Sequence, residues 1–282
     1  MSLSCKNNVK RSSSNQRPAA TSAIYADICY VSDRSGSMVS MGNAPIKGLK
    51  QFISDQKENM GNKGIQCSFT LCAFDGSSEE KIFKNIQNCN ITDDELEDML
   101  YPRGCTRLID TGIEQLEKQN KRVEDYINSL SPRVRKLNPN IIKIFAIMTD
   151  GFDNVSKNHA KHLHDAITKA RENNTTCMFL AANQDAIGAG KLYGFSATNS
   201  LNVGTTPLNM TQAIRSVSNA TSRHVNGEEV SFTPAERSVS QSMAFSDMNQ
   251  VVQVPYLTTP PFLQAPTRSY NQLSDGFMSN NL

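Results

Sequence analysis

The sequence predicts an α/β fold, a doubly wound and mainly parallel sheet with helices on both faces. Three observations carry that expectation. The run IIKIFAIMT (141–149) is almost unbroken in apolar character, as a central strand covered on both faces must be. From Thr106 to about Leu130, apolar residues Ile109, Ile113, Leu116, Val123 and Ile127 step by four, three, seven and four, which is a long amphipathic helix. Between residues 23 and 224, strand-like and helix-period segments alternate, and that order implies parallel strands joined by helical crossovers.

Each element follows in turn. AIYADICYV (23–31) reads as a strand. NAPIKGLKQFISDQKENM (43–60) is a helix with Ile46, Leu49, Phe52 and Ile53 on one face, and Pro45 is tolerated in its first turn. QCSFTLCAF (66–74) is a strand that sets Phe69 and Leu71 opposite Cys72. KIFKNIQ (81–87) reads as an edge strand, and TDDELEDML (92–100) as a helix opened by Thr92 and acidic residues. Residues 158–172 place Leu163, Ala166, Ile167 and Ala170 on one helical face. TTCMFLAA (175–182) is a further buried strand. A short helix (184–194), a short strand (199–203) and a closing helix (207–224) complete the order.

Composition bounds the rest. A chain of 282 residues fits one large domain with tails, and a hydrophobic share of 38% predicts that part of it is unpacked. Residues 1–22 hold almost no large apolar side chain and read as a disordered segment. Residues 225–282 contain no lysine, five prolines and eight serines, and read as a mostly disordered tail, with VVQVPYLTTPPFLQAP (251–266) as a stretch able to dock. A net charge of +2 gives no chain-wide basic field, which argues against nucleic acid as the partner; the scattered Lys6, Lys10, Arg11 and Arg17 read as a solvated start. No apolar run approaches the ~18 residues of a membrane span. The first residues lack a signal peptide's apolar stretch, and seven scattered cysteines suggest reduced thiols, so an intracellular, cytoplasmic setting is expected.

In parallel sheets ligands sit beyond the carboxyl ends of the strands. The first strand runs into Asp33-Arg34-Ser35-Gly36-Ser37-Met38. The strand at 141–149 runs into Thr149-Asp150-Gly151-Phe152-Asp153-Asn154, and the long helix opens at Gly104-Cys105-Thr106. Carboxylates and hydroxyls thus gather at one edge of the sheet. An all-oxygen set with few carboxylates suits Mg²⁺ or Mn²⁺, and the lack of His or Cys argues against zinc.

These residues resemble the von Willebrand factor A domain and its metal-ion-dependent adhesion site. That family's pattern is Asp-X-Ser-X-Ser after the first strand, a Thr in a following loop and an Asp after the fourth strand. Asp33, Ser35 and Ser37, then Thr106 in RGCTRLIDTG, then Asp150 in IMTDGFDN match it in order. The likeness covers residues 23–224, and LAANQDAIGAGKLYG (180–194) with the segment after it is similar to free-standing intracellular members from bacteria and large DNA viruses. The resemblance implies a Rossmann-like fold in which Ser35, Ser37 and Thr106 hold the ion through hydroxyls, while Asp33 and Asp150 supply charge, largely through waters. It further implies that one position stays open for a Glu or Asp of a partner protein, with no turnover and no small-molecule substrate. Asp153 and Asn154 lie outside the pattern and are candidates for supporting the ligands or capping the loop.

Other readings fit less well. Asp-X-Ser-X-Ser alone serves equally as a helix cap. A magnesium-dependent phosphotransferase of the haloacid-dehalogenase type needs a second acid where Ser35 stands. A nucleophile at Ser35 or Ser37 lacks the Gly-X-Ser-X-Gly frame. Gly188-Ala189-Gly190-Lys191 fails as a phosphate loop because Asp185 and Leu192 occupy the required Gly and Ser/Thr positions, so helix packing accounts for its glycines. His159, His162 and His164 read as a polar helix surface, and Cys67 and Cys72 as thiols on opposite strand faces. A scaffold whose C-terminal tail carries the interaction is the runner-up function.

Overall fold

The computed structural model describes residues 25–241. Six strands form one sheet: β1 Tyr25–Asp33, β2 Gln66–Phe74, β3 Ser78–Phe83, β4 Ile141–Thr149, β5 Thr175–Ala182 and β6 Ser200–Val203. Their order is β3-β2-β1-β4-β5-β6, and only the β2–β3 pair is antiparallel. The sequence-based fold class is therefore the observed one. Helices lie in the crossovers: α1 Ala44–Lys63, α2 Asp93–Met99, α3 Leu108–Ser129, α4 Pro132–Arg135, α5 Ala160–Glu172 and α6 Ala186–Leu192; α7 Pro207–Val225 and α8 Pro234–Val239 follow the last strand.

Strand alternation divides the core into two layers. On one face Ile28, Tyr30, Phe69 and Leu71 meet Leu49 and Phe52 of α1 and Ile214 and Val217 of α7. On the other, Cys29, Val31, Phe145 and Ile147 meet Leu116 of α3 and Leu163 and Ile167 of α5. Cys67 and Cys72 fall in opposite layers. β1 is buried along its whole length, so its carboxyl end is fixed on both sides. At the α1–α7 crossing, a Cβ on Gly48 would stand 2.5 Å from Cδ1 of Ile214, so the two helices approach through that glycine. Gly190 likewise lies against Ser200 and Phe179, which is a packing role.

The edge strand differs from the sequence expectation of 81–87. It begins at Ser78 because Asp75 closes a tight hairpin: its Oδ1 accepts the Ser77 N–H at 2.7 Å and the Ser77 hydroxyl at 2.9 Å. That turn pairs Phe74 with Ser78, and residues 86–88 become a 3-10 turn capped by Asn85. The exposed Glu79, at the start of the strand, and the partly exposed Glu80 and Lys81 guard an edge that would otherwise invite pairing.

The chain also continues past residue 224 in ordered form. Phe232 is buried, Arg223 makes a two-pronged pair with Glu236 at 2.9 Å, and the Gly204 N–H donates to the Ser240 carbonyl at 2.7 Å. The readings for residues 1–24 and 242–282 lie outside the described residues. Among the described residues no helix is long and apolar enough to cross a membrane.

Candidate functional site

Parallel register brings the ends of β1 and β4 side by side, with Ser32 opposite Met148. Asp33 closes β1 and Thr149 closes β4, and the Thr149 hydroxyl donates to Asp33 Oδ2 at 2.6 Å. Asp33 Oδ1 accepts the Ser35 N–H at 2.6 Å, which turns the chain back over the strand end. Ser37 Oγ donates to Asp150 Oδ1 at 2.6 Å and lies 3.1 Å from Ser35 Oγ. Since the Ser37 proton goes to Asp150, Ser35 is the donor between the serines. Asp150 Oδ2 is buried with no hydrogen-bond partner. Gly151 brings in one more oxygen: a Cβ there would lie 3.8 Å from Thr106 Oγ1 and 3.9 Å from Ser37 Oγ. All five residues of the Asp-Ser-Ser-Thr-Asp set thus converge on one small space, with Ser37 opening to solvent.

Electrostatics mark the same space. Burial pushes the Asp33 carboxyl up to about 6, against the downward pull of its Thr149 and Ser35 hydrogen bonds. Burial also raises Asp150, against the Ser37 hydrogen bond. Two buried acids with too little compensation, one of them with an unpaired oxygen, are a poor apo arrangement and a good receptor for a hard cation. The donor set fits such an ion: carboxylates and hydroxyls only, at a strand edge. Among the described residues no three His, Cys, Asp or Glu side chains gather as a metal cluster.

Three loops are clamped to hold this shape. Arg34 is buried and turns away from the acids, donating to Asp75 Oδ2 at 3.1 Å, Glu79 Oε2 at 2.9 Å and the Met99 carbonyl at 2.8 Å. Arg103 joins Asp75 from the other side at 3.2 Å. Burial pushes Asp75 up, but the Ser77 hydrogen bonds and the two arginines outweigh it and hold the carboxyl below its usual range. Main-chain bonds from Arg34 N–H to the Phe74 carbonyl, 2.8 Å, and from Arg103 N–H to the Arg34 carbonyl, 2.7 Å, tie the loops together. Gly104, at φ +69°, makes the turn that follows, where a side chain would be strained.

Asp153 and Asn154 act on the opening of α3. Asn154 Oδ1 accepts the Thr106 N–H at 2.9 Å, and its own N–H returns to the Thr106 carbonyl at 3.0 Å. Asp153 Oδ2 accepts the Ile109 N–H at 2.9 Å and the Ser156 hydroxyl, satisfying a helix start whose own cap residue, Arg107, makes no side-chain capping bond. Asp110 answers from α3, accepting the N–H groups of Lys157 and Asn158 at 2.9 and 3.0 Å. Both candidates therefore lock the Thr106 loop to the Asp150 loop. Sequence reasoning missed Arg34, Asp75 and Arg103; the Asp-Gly-Ser turn at 75–77 was the one local signal.

No protein-family model matches the chain, and no curated protein is similar to it in sequence. Solved structures are similar in fold. The pilus adhesin SpaC from Lactobacillus rhamnosus GG, in its open conformation, aligns over 73% of this chain and 30% of its own, at 14% identity and a TM-score of 0.50. Proximal thread matrix protein 1 from the mussel byssus aligns over 71% and 46%, at 14% identity and 0.44. A von Willebrand factor type A protein from Catenulispora acidiphila aligns over 71% and 43%, at 14% identity and 0.42. The chain spans less than half the length of each. The architecture, an α/β sheet in the order β3-β2-β1-β4-β5-β6 with one antiparallel edge strand, is similar in fold to that of the SpaC adhesin.

Proposed function

We propose that this chain is a protein-binding module whose contact depends on a divalent ion, Mg²⁺ or Mn²⁺. The observation that carries the reading is Asp150 Oδ2, buried and unpaired, on the same carboxylate whose Oδ1 accepts the hydroxyl of the exposed Ser37. Ser35, Ser37 and Thr106 would hold the ion through neutral oxygens. Asp33 and Asp150 would balance its charge. Held there, such an ion would supply Lewis acidity toward one further oxygen, for which a Glu or Asp of the partner protein would be the donor. Thr149 keeps Asp33 oriented by its short hydrogen bond. Asn154 fixes the Thr106 backbone and Asp153 the helix behind it. A hydrolytic reading gains no support from the serines: Ser35 donates to Ser37 and Ser37 to Asp150, with no histidine in the chain of bonds.

Manganese paramagnetic resonance tests this directly. Free Mn²⁺ gives a signal that binding suppresses. The expectation is one ion per wild-type chain and none for Asp33→Ala. Equal suppression by both proteins would overturn the reading.

A further inference from the structure

Beside the acids lies a cavity of about 330 Å³. Its walls are Met38 and Val39 of a 3-10 turn, Gly36–Met41, Pro45 and Ile46 of the first turn of α1, and Leu100 and Tyr101. Asp33 also lines it, so the cavity opens onto the candidate site itself. Met38 and Leu100 are buried and form a fixed floor, whereas Val39 is 71% exposed and Tyr101 65% exposed. Apart from Asp33, the only charged side chain in the lining is Glu97, which is exposed on α2.

This cavity belongs to a wider pattern. Val39 follows β1, Phe152 follows β4, Ile187 opens α6 after β5, and Leu208 opens α7 after β6. All four are exposed, and all stand at the carboxyl edge of the sheet. Apolar groups around a polar pit form the anatomy of a protein interface, in which a few anchors filling pockets carry most of the affinity.

Resting on the function proposed above, we infer that the cavity is the specificity pocket for the partner. It takes a bulky apolar side chain, such as Phe or Leu, lying close in sequence to the acidic residue that reaches the metal. Charge complementarity sets the rest of the chemistry. Glu97 repels a second acid beside the anchor and favours Lys or Arg there. The occupant is thus a peptide segment of another protein with one carboxylate, one apolar anchor and a cation next to it.

The test uses fluorescein-labelled hexapeptides holding one Glu, one Phe and one Lys, with Glu and Phe one, two or three residues apart. Matched sets replace Phe by Ala, or Glu by Gln. Binding is read by fluorescence polarisation to the full chain in Mg²⁺ and in EDTA. The expected result is Mg²⁺-dependent binding by at least one spacing, weakened roughly tenfold or more by Phe→Ala. In Tyr101→Asp and Val39→Asp, both at exposed positions, that preference for Phe collapses. The thermal midpoint of each variant verifies that it is folded. Mg²⁺-dependent binding that ignores the Phe→Ala change would overturn the pocket and leave the metal-dependent function standing. Absence of any Mg²⁺-dependent, Glu-dependent binding would overturn both. Sedimentation with phosphatidylcholine–phosphatidylserine vesicles that Tyr101→Asp abolishes would overturn the peptide in favour of a lipid surface.

Discussion

Arg34 stands between two motif residues, Asp33 and Ser35, and its side chain turns away from both. Its guanidinium is spent on Asp75, Glu79 and the Met99 carbonyl. That geometry keeps the Arg34 guanidinium from compensating the acids of the site. Spacing in the sequence cannot reveal this, because the partners of Arg34 are 41, 45 and 65 residues away. The Asp, Ser and Thr positions were legible for the opposite reason. Asp33, Ser35 and Ser37 form a local turn, and Asp150 ends a strand that its apolar run announces. Arg34→Met takes from Asp75 one of its two arginine partners, a buried hydrogen-bond loss that costs about 1–3 kcal/mol. Urea unfolding should show a lower midpoint of that order, and an unchanged midpoint would mean that Arg103 alone holds Asp75.

At the scale of elements, two features escaped the sequence. The apolar pattern of KIFKNIQ pulled the edge strand downstream, whereas the Asp75 turn sets the register and starts β3 at Ser78. The low-complexity look of the chain after residue 224 hid α8, whose six residues are too few to show a helical period. The buried Phe232 just before it, the Arg223–Glu236 ion pair and the hydrogen bonds from Arg237 to the Ala197, Thr198 and Ser200 carbonyls hold it to the domain. Phe232→Ala should cost about 3 kcal/mol, read as a fall in thermal midpoint of several degrees; no change would show that the burial of Phe232 contributes nothing to the fold. The ion pair gives a pH signature. Burial pushes Glu236 up, but the Arg223 and Thr233 hydrogen bonds outweigh it, so its folded value lies below the unfolded 4.5. The stabilisation is therefore present above about pH 4.5 and lost as pH falls through the folded value. Glu236→Gln should flatten that acid limb of the stability curve, and an identical limb in wild type and variant would remove the pair from the account.

For the whole molecule, the alternation of strands and helices sufficed to place the fold and to direct attention to one edge of the sheet. What packs behind that edge depends on contacts far apart in the chain, and so had to be seen. The central claim is that the carboxyl edge receives a divalent ion. Wild type and Asp150→Asn, stripped with EDTA, are to be titrated with Mg²⁺, Mn²⁺ and Ca²⁺ while the thermal midpoint is followed. An ion at ten times its dissociation constant stabilises the folded state by about 1.4 kcal/mol, or roughly 3–5 °C for a domain of this size. The account predicts that rise for wild type with Mg²⁺ or Mn²⁺. For Asp150→Asn it predicts no rise, and a midpoint in EDTA at or above that of wild type, since the variant removes a buried charge. A rise of the same size in both proteins, or in neither, would contradict it.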